Sequence, residues 1–428
     1  CSLVGSEMCI RDRQTEHSIN GGGLKFDYFS PNENHRFNVF ASAQHINRDS
    51  YYGPGDRDPL DAYGNTTDLN WMAGSQYVYS FGKCIFMPSD LTAGIEFNQD
   101  KLEDNMWGYN RTVDQKVNIG SAFLQNEWKN DHWGFLIGGR LDKHNLINHV
   151  IFSPRANLRY NPTENINLRF SYSSGFRAPQ AFDEDLHVEN VGGNVAMVEL
   201  ADNLKEERSQ SLSASADIYH RFGAFQVNFL VEGFYTKLSD VFALTDGEVV
   251  DGILTRTRYN APGARVMGLT LEGKMAYLTK FQVQAGVTLQ QSHYSEPHVW
   301  NKEAPAVKKM MRTPNTYGYF TATYTPIKPL SIALSGTYTG SMLVPHEPVP
   351  GFLEKPITVN TKDFFDIGLK AAYDFKLYKS MNLQVNAGVQ NIFNAYQNDF
   401  DKGADRDSGY IYGPSLPRSF FAGVKISY

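Results

Sequence analysis

The sequence predicts an all-β chain: an antiparallel transmembrane β-barrel, a meander of about 17 strands that is incomplete or open. Three observations carry that reading. Apolar residues recur at every second position in run after run, connections alternate between short and long, and aromatic residues gather beside the short ones.

The first alternating run, His17 to Phe29, leads into a short connection at Ser30 to His35. Further short connections fall near Gly82 to Ser89, Lys129 to His132, Asn161 to Asn165, Arg221 to Ala224, Leu278 to Lys280, Pro326 to Pro329 and Lys376 to Ser380. Long polar connections lie between them: Asp49 to Asp68, Gln99 to Gln115, Asp142 to His149, Arg177 to Lys205, Ser239 to Leu254, Ser295 to Thr313, Leu343 to Thr361 and Asn394 to Ser415. Two strands per short connection, with Leu416 to Tyr428 as the last, give the count of about 17; short turns at one end and long loops at the other are the habit of outer-membrane barrels.

The strands themselves alternate cleanly. Ile166, Leu168 and Phe170 face one way while Asn167, Arg169 and Ser171 face the other. The same holds for Phe225, Val227 and Phe229 against Gln226 and Asn228, for Val283, Ala285 and Val287 against Gln284 and Thr288, and for Leu383, Val385 and Ala387 against Gln384 and Asn386. Period-two alternation is a strand whose faces meet different surroundings. Here Phe170, Phe229, Val283 and Val385 should meet lipid, and Arg169, Asn228, Gln284 and Gln384 a hydrated lumen. Phe29, Phe81, Trp133, Tyr160, Tyr219, Tyr277, Tyr324 and Tyr378 beside the short connections are placed for an interfacial girdle.

Composition agrees. Across 428 residues the mean hydropathy is -0.41, yet aromatics reach 13%. No apolar run approaches the roughly 18 residues of a membrane helix. A barrel hides its apolar face in alternation and looks hydrophilic on average. The formal charge of -6 comes without a basic patch, so nucleic acid is not an expected partner. Cys1, Cys9 and Cys84 form no framework and no metal-spaced cluster, and no catalytic motif stands out. No cofactor, metal site or catalytic residue is therefore expected. Residues 1–13 read as a non-native tail to be set aside from the fold, and 14–428 as the barrel.

Two sets of motifs resemble the TonB-dependent receptors. Gly175-Phe176-Arg177-Ala178-Pro179 is followed by Glu184 and Leu186 and then by Leu204-Lys205-Glu206-Glu207, where the family's common form has proline in place of Glu206. Asn391-Ile392-Phe393-Asn394 precedes Tyr412-Gly413-Pro414 and a last strand ending in the aromatic Tyr428. The resemblance implies a bacterial outer-membrane location and a parent barrel of about 22 strands around a plug, the plug being absent from this chain. It also implies energy-coupled uptake of a scarce nutrient such as a ferric siderophore, haem or cobalamin. The implied partners are outer-membrane lipid, a small metal chelate, and an inner-membrane coupling protein reached through the missing N-terminal part. A passive porin and an outer-membrane barrel enzyme or adhesin are the alternatives. As an isolated fragment, the chain is expected to leave its first and last strands as open edges and not to transport.

Ligand contacts, on this reading, come from the long loops. Trp107, Tyr109 and Arg111 form one aromatic and basic cluster, and Trp300, Lys302 and Arg312 another; such surfaces suit anionic aromatic chelates. Loop histidines, among them His187, His293, His298 and His346, and the acids Asp401, Asp405 and Asp407 are expected to be solvated. The Gly175 to Pro179 motif is expected to fix a strand exit.

Overall fold

The computed structural model describes residues 13–52, 63–107, 111–179, 195–245, 248–250, 253–378, 380–402, 406–407, 409–414 and 416–428; within these, the side chains of 13–14, 52, 106, 111, 195–198, 248–250 and 253–255 are not described. Seventeen long strands follow one another. The first eight are Arg13–Phe29, His35–Tyr52, Tyr63–Cys84, Met87–Met106, Arg111–Lys129, Trp133–His144, Ile151–Thr163 and Ile166–Arg177. Then come Glu207–Phe222, Phe225–Ser239, Ala264–Tyr277, Phe281–His298, Thr316–Ile327, Leu330–Thr339, Phe364–Tyr378, Met381–Gln390 and Ser419–Ser427.

Each long strand pairs antiparallel with the next, so the sheet is an uninterrupted meander. The three-residue strand Val307–Lys309 adds to the upper end of Phe281–His298 and makes the sheet 18-stranded. Among the described residues no pairing joins Arg13–Phe29 to Ser419–Ser427, so the sheet is open with these strands as its edges. An odd number of antiparallel strands sets those edges running the same way, which an antiparallel closure cannot accommodate.

All eight short connections fall where the alternation lapses in the sequence. Strand lengths depart from expectation. Arg13 already pairs with Tyr52, so the first strand begins before His17 and Arg13 is no part of an unpaired tail; residues 1–12 lie outside the described residues. Among the described residues, both ends of the Asp49 to Asp68 connection and most of Gln99 to Gln115 are strand, because Tyr63–Cys84 and Met87–Met106 continue paired well past a membrane's thickness. Above the bilayer both faces are wet, so pairing persists without period-two apolarity.

The two faces differ as the alternation requires. Phe170, Phe229 and Val385 keep 49%, 47% and 41% of their surface exposed on the apolar face. On the opposite face the polar residues bond across strands: Gln384 donates to Asp374 at 2.9 Å and Gln284 to the Tyr319 hydroxyl at 2.7 Å. That face also holds the barrel's buried polar groups, including Asp142 and Thr288, which marks it as the inner one. Tyr219 is a correction to the girdle. It faces Asn228 across the strand pair and donates to Asp217, on the inner face.

Candidate functional site

Three of the long loops are built into one structure at the far end of the barrel. Its centre is His346, on a short ribbon of Leu343–His346 with Ile357–Asn360. The His346 ring stacks on Tyr410 at 3.8 Å, and its Nε2 lies 2.8 Å from Asp401 Oδ2. Asp407 accepts the backbone N–H of Glu347 at 2.9 Å and that of Gly409 at 2.8 Å. Asp399 accepts the Tyr412 hydroxyl at 2.6 Å; burial and this carboxylate together push the Tyr412 phenol up. His346, Asp401 and Asp407 are buried, not solvated. Sequence reasoning saw them as separate hydrophilic loop residues, and nothing within one loop signals a partner 55 positions away. Asp405 and His187 lie outside the described residues.

Trp300, Lys302 and Arg312 sit on this assembly. Arg312, in left-handed conformation, gives its backbone N–H to Leu343 O and its guanidinium to Ile411 O at 2.8 Å and to Gly409 O. It is thereby the clamp between two loops. Trp300 is half-buried and its indole N–H has no partner; the adjoining Asn301 is fixed to Glu347 at 3.0 Å, and Lys302 is exposed. Trp107 ends its strand extension with 59% of its surface exposed. Tyr109 lies outside the described residues, and Arg111 is placed in its strand by backbone alone. The structure therefore brings Trp300, Lys302 and Arg312 into one loop assembly, while Trp107 stands on a different hairpin.

The motif residues hold strand exits. Arg177 pairs in register with Glu207, and its guanidinium lies over the Phe242 ring at 5.6 Å, where the buried Arg258 also reaches at 5.9 Å. Glu207 accepts the Phe242 N–H at 3.0 Å. Phe242 belongs to a four-stranded loop sheet of Val195–Leu200, Val241–Leu244, Glu248–Val250 and Ile253–Ala261, so Arg177 and Glu207 seat that sheet on the barrel. Glu206, in the proline position, accepts two bonds from Arg208 and one from His149 at 2.9 Å. Burial raises its carboxyl, and these bonds more than offset that and hold it low. Gly175 and Phe176 lie in the strand that ends at Arg177, and Ala178 and Pro179 follow it. Glu184 and Leu186 lie outside the described residues. Asn391 is the corner of the last loop, bonding Ala395 and Leu416 at once, and Tyr428 ends the chain fully exposed.

The inner face below carries charge in pairs. Arg140 reaches Asp142 at 2.8 Å and Glu96 at 3.2 Å, with Ser121 bridging them. The polar inner face thus lies under a structured rim of interlocked loops. Residues 11–392 match the family described as TonB dependent receptor-like, beta-barrel. The chain belongs to that family, and its place is the bacterial outer membrane.

Among solved structures it is similar to the ferric-catecholate import receptor Fiu from E. coli K12 (14% identity, TM-score 0.69, covering 97% of this chain and 65% of that one). It is also similar to the siderophore receptor PirA from Acinetobacter baumannii (15%, 0.70, 96% and 62%). A mutant of the ferric enterobactin receptor PfeA from Pseudomonas aeruginosa is a third (18%, 0.70, 96% and 61%). The chain thus spans under two thirds of the length of these proteins, and at such identities they show the fold alone. No curated protein matches. Family and neighbours are receptors and transporters, not enzymes.

Proposed function

We propose that this chain forms the ligand-admitting wall of an energy-coupled outer-membrane receptor for a ferric chelate of the siderophore type. The observation that carries the reading is the loop assembly around His346 and Arg312. Loops that interlock through buried side chains are held in place before a ligand arrives, which lowers the ordering cost of binding. They present Trp300 and Lys302 at the rim, and an aromatic face beside a cation suits an anionic catecholate chelate. The neighbours named for ferric-catecholate and siderophore import support the same class. Trp107 is the further candidate contact, with Tyr109 and Arg111 beside it in sequence. The energy comes from an inner-membrane protein that contacts the receptor outside the barrel.

The test is binding and uptake of radiolabelled iron chelates by iron-starved cells carrying the receptor in its membrane. Saturable uptake that stops when the proton gradient is collapsed is expected, with haem and cobalamin failing to compete. Trp300→Ala and Lys302→Ala should each weaken chelate binding about 10-fold, the scale of an aromatic or cation–π contact that excludes water. Linear, unsaturable flux of small solutes with no chelate binding would make the protein a porin instead.

A further inference from the structure

The outer face of the sheet carries an unusual row. Lys237 stands opposite Arg265, Arg265 opposite His293, and His293 opposite Lys309, across four neighbouring strands. The positions two residues before and after each of them hold no acid. Among the described residues none of the four is in an ion pair; Arg208, next on the same face, is already taken by Glu206. Like charges directly opposite one another destabilise a sheet. Elsewhere on this face the usual arrangement prevails: Lys101 has Glu103 at 2.6 Å. Three cations, Lys237, Arg265 and Lys309, with an imidazole between two of them and no carboxylate beside them, therefore want an external anion.

Its height on the barrel says where the anion comes from. Phe225 and Tyr277 pair at the short-turn end, with rings 4.6 Å apart. Lys237 and Arg265 lie about 12 residues further along the same strands, roughly 40 Å at ~3.3 Å per residue. A strand tilt of about 40° turns that into a rise of about 30 Å, just beyond an apolar band about 25 Å tall. The row thus lies at the headgroup level of the leaflet on the long-loop side. Directly below it the same face is hollowed. Leu212, Tyr235, Met267, Leu269 and Leu289 surround a depression of about 860 Å³ whose floor is formed by Ala214 and Gly233. A Cβ placed on Gly233 would meet nothing within 4 Å.

We propose that Lys237, Arg265, His293 and Lys309 bind the phosphates of a phosphorylated glycolipid of the outer leaflet, with one of its acyl chains lying in the hollow over Gly233. Charge complementarity fixes the headgroup, and the apolar hollow immediately beneath it selects a lipid over a free anion. The occupant meets the outside of the wall, so the site is independent of the chelate that enters through the lumen.

The experiment uses the receptor purified from outer membranes and placed in phosphatidylcholine nanodiscs. These are doped with a bis-phosphorylated glucosamine lipid or its dephosphorylated form, and bound lipid is counted by native mass spectrometry. The triple variant Lys237→Gln, Arg265→Gln, Lys309→Gln is compared with Lys83→Gln, Lys280→Gln, Lys328→Gln, which removes the same charge at the turn end. At about a fivefold effect per headgroup-level cation, the first should weaken binding about 100-fold and the second leave it within about twofold. Gly233→Phe fills the hollow, so it should weaken the acylated lipid while leaving pyrophosphate binding unchanged. Equal lipid retention by both triple variants would overturn the proposal, as would equal binding of the dephosphorylated lipid. Pyrophosphate displacing the lipid fully, with Gly233→Phe without effect, would make the row a free-anion site and overturn it too.

Discussion

The two ends of the barrel are held together in different ways. At the turn end the connections are short and lean on the adjacent hairpin: Glu33, Ile85, Leu278 and Gly223 supply the left-handed conformation at four of them, and neighbouring turns are joined by bonds such as Asn161 N–H to His132 O at 2.7 Å and by stacked rings such as Trp133 on Tyr160 at 4.2 Å. At the loop end the bonds that matter span long stretches of chain, Arg312 to Ile411 across 99 positions and His346 to Asp401 across 55. A tight turn needs only that the next strand be adjacent. A loop that must stand over a lumen needs partners from other loops, because its backbone groups have no ladder to join.

The wall between the ends depends on alternation, and breaking it should have the largest effect. Val287→Arg, six residues beyond Phe281 at the turn end and so roughly 15 Å up, near the bilayer midplane, puts a charge on the lipid face and should cost roughly 2–4 kcal/mol, while Gln284→Arg on the inner face of the same strand should cost much less because its side chain enters the polar network of Tyr319 and Glu272. Urea unfolding in lipid vesicles measures both. Equal losses at the two sites would mean that the faces are not distinguished by lipid.

What could be read from the sequence follows the same division. The count of seventeen strands and all eight turns were legible because alternation and its interruption are local. The extent of the strands was not: Lys101-Leu102-Glu103-Asp104-Asn105 has no period-two apolarity, yet it stays paired up to Met106. The motif Asn391-Ile392-Phe393-Asn394 was legible as a motif, but its reason was hidden. Asn391 is 2% exposed, in left-handed conformation, and ties the loop's entry to its exit at Leu416. Tyr219 was misread because being aromatic beside a turn says nothing about which face a residue occupies.

The loop end should also respond to pH, through Asp68. It lies on the inner face roughly 50 Å up its strand from the turn at ~3.3 Å per residue, above the bilayer. Burial, aided by the neighbouring Asp100, pushes its carboxyl up to about 6 from 3.8, and its Oδ1 has no partner. Between these values the folded state holds the proton that the unfolded state has released, so stability falls as pH rises through the window. Asp68→Asn should therefore stabilise the barrel above pH ~6, by about 1–2 kcal/mol once solvent screening at this half-buried site is counted, and change nothing below pH ~4. Unfolding midpoints of both proteins across that range decide it; a gain that persists at the acid end would assign the effect to packing.

The smallest effect is expected at the turn end, where strain is local and can be relieved locally. Ile85 has φ of 63°, a β-branched residue in the left-handed region, where only glycine and asparagine sit comfortably. The turn tolerates it because the neighbouring Phe86 is stacked on Trp128 at 5.7 Å and meets Phe135 edge-on, which anchors the connection while Ile85 itself remains 80% exposed. Ile85→Gly removes a strain of about 1–2 kcal/mol but frees the unfolded backbone at a cost of about 0.5–1 kcal/mol. The net gain should be about 0.5–1 kcal/mol, read as a higher urea midpoint with unchanged slope. Ile85→Asn, which tolerates the same conformation with less backbone freedom, should gain at least as much. A loss of stability in both variants would show that the Ile85 side chain, and not the Phe86 stack, holds the turn.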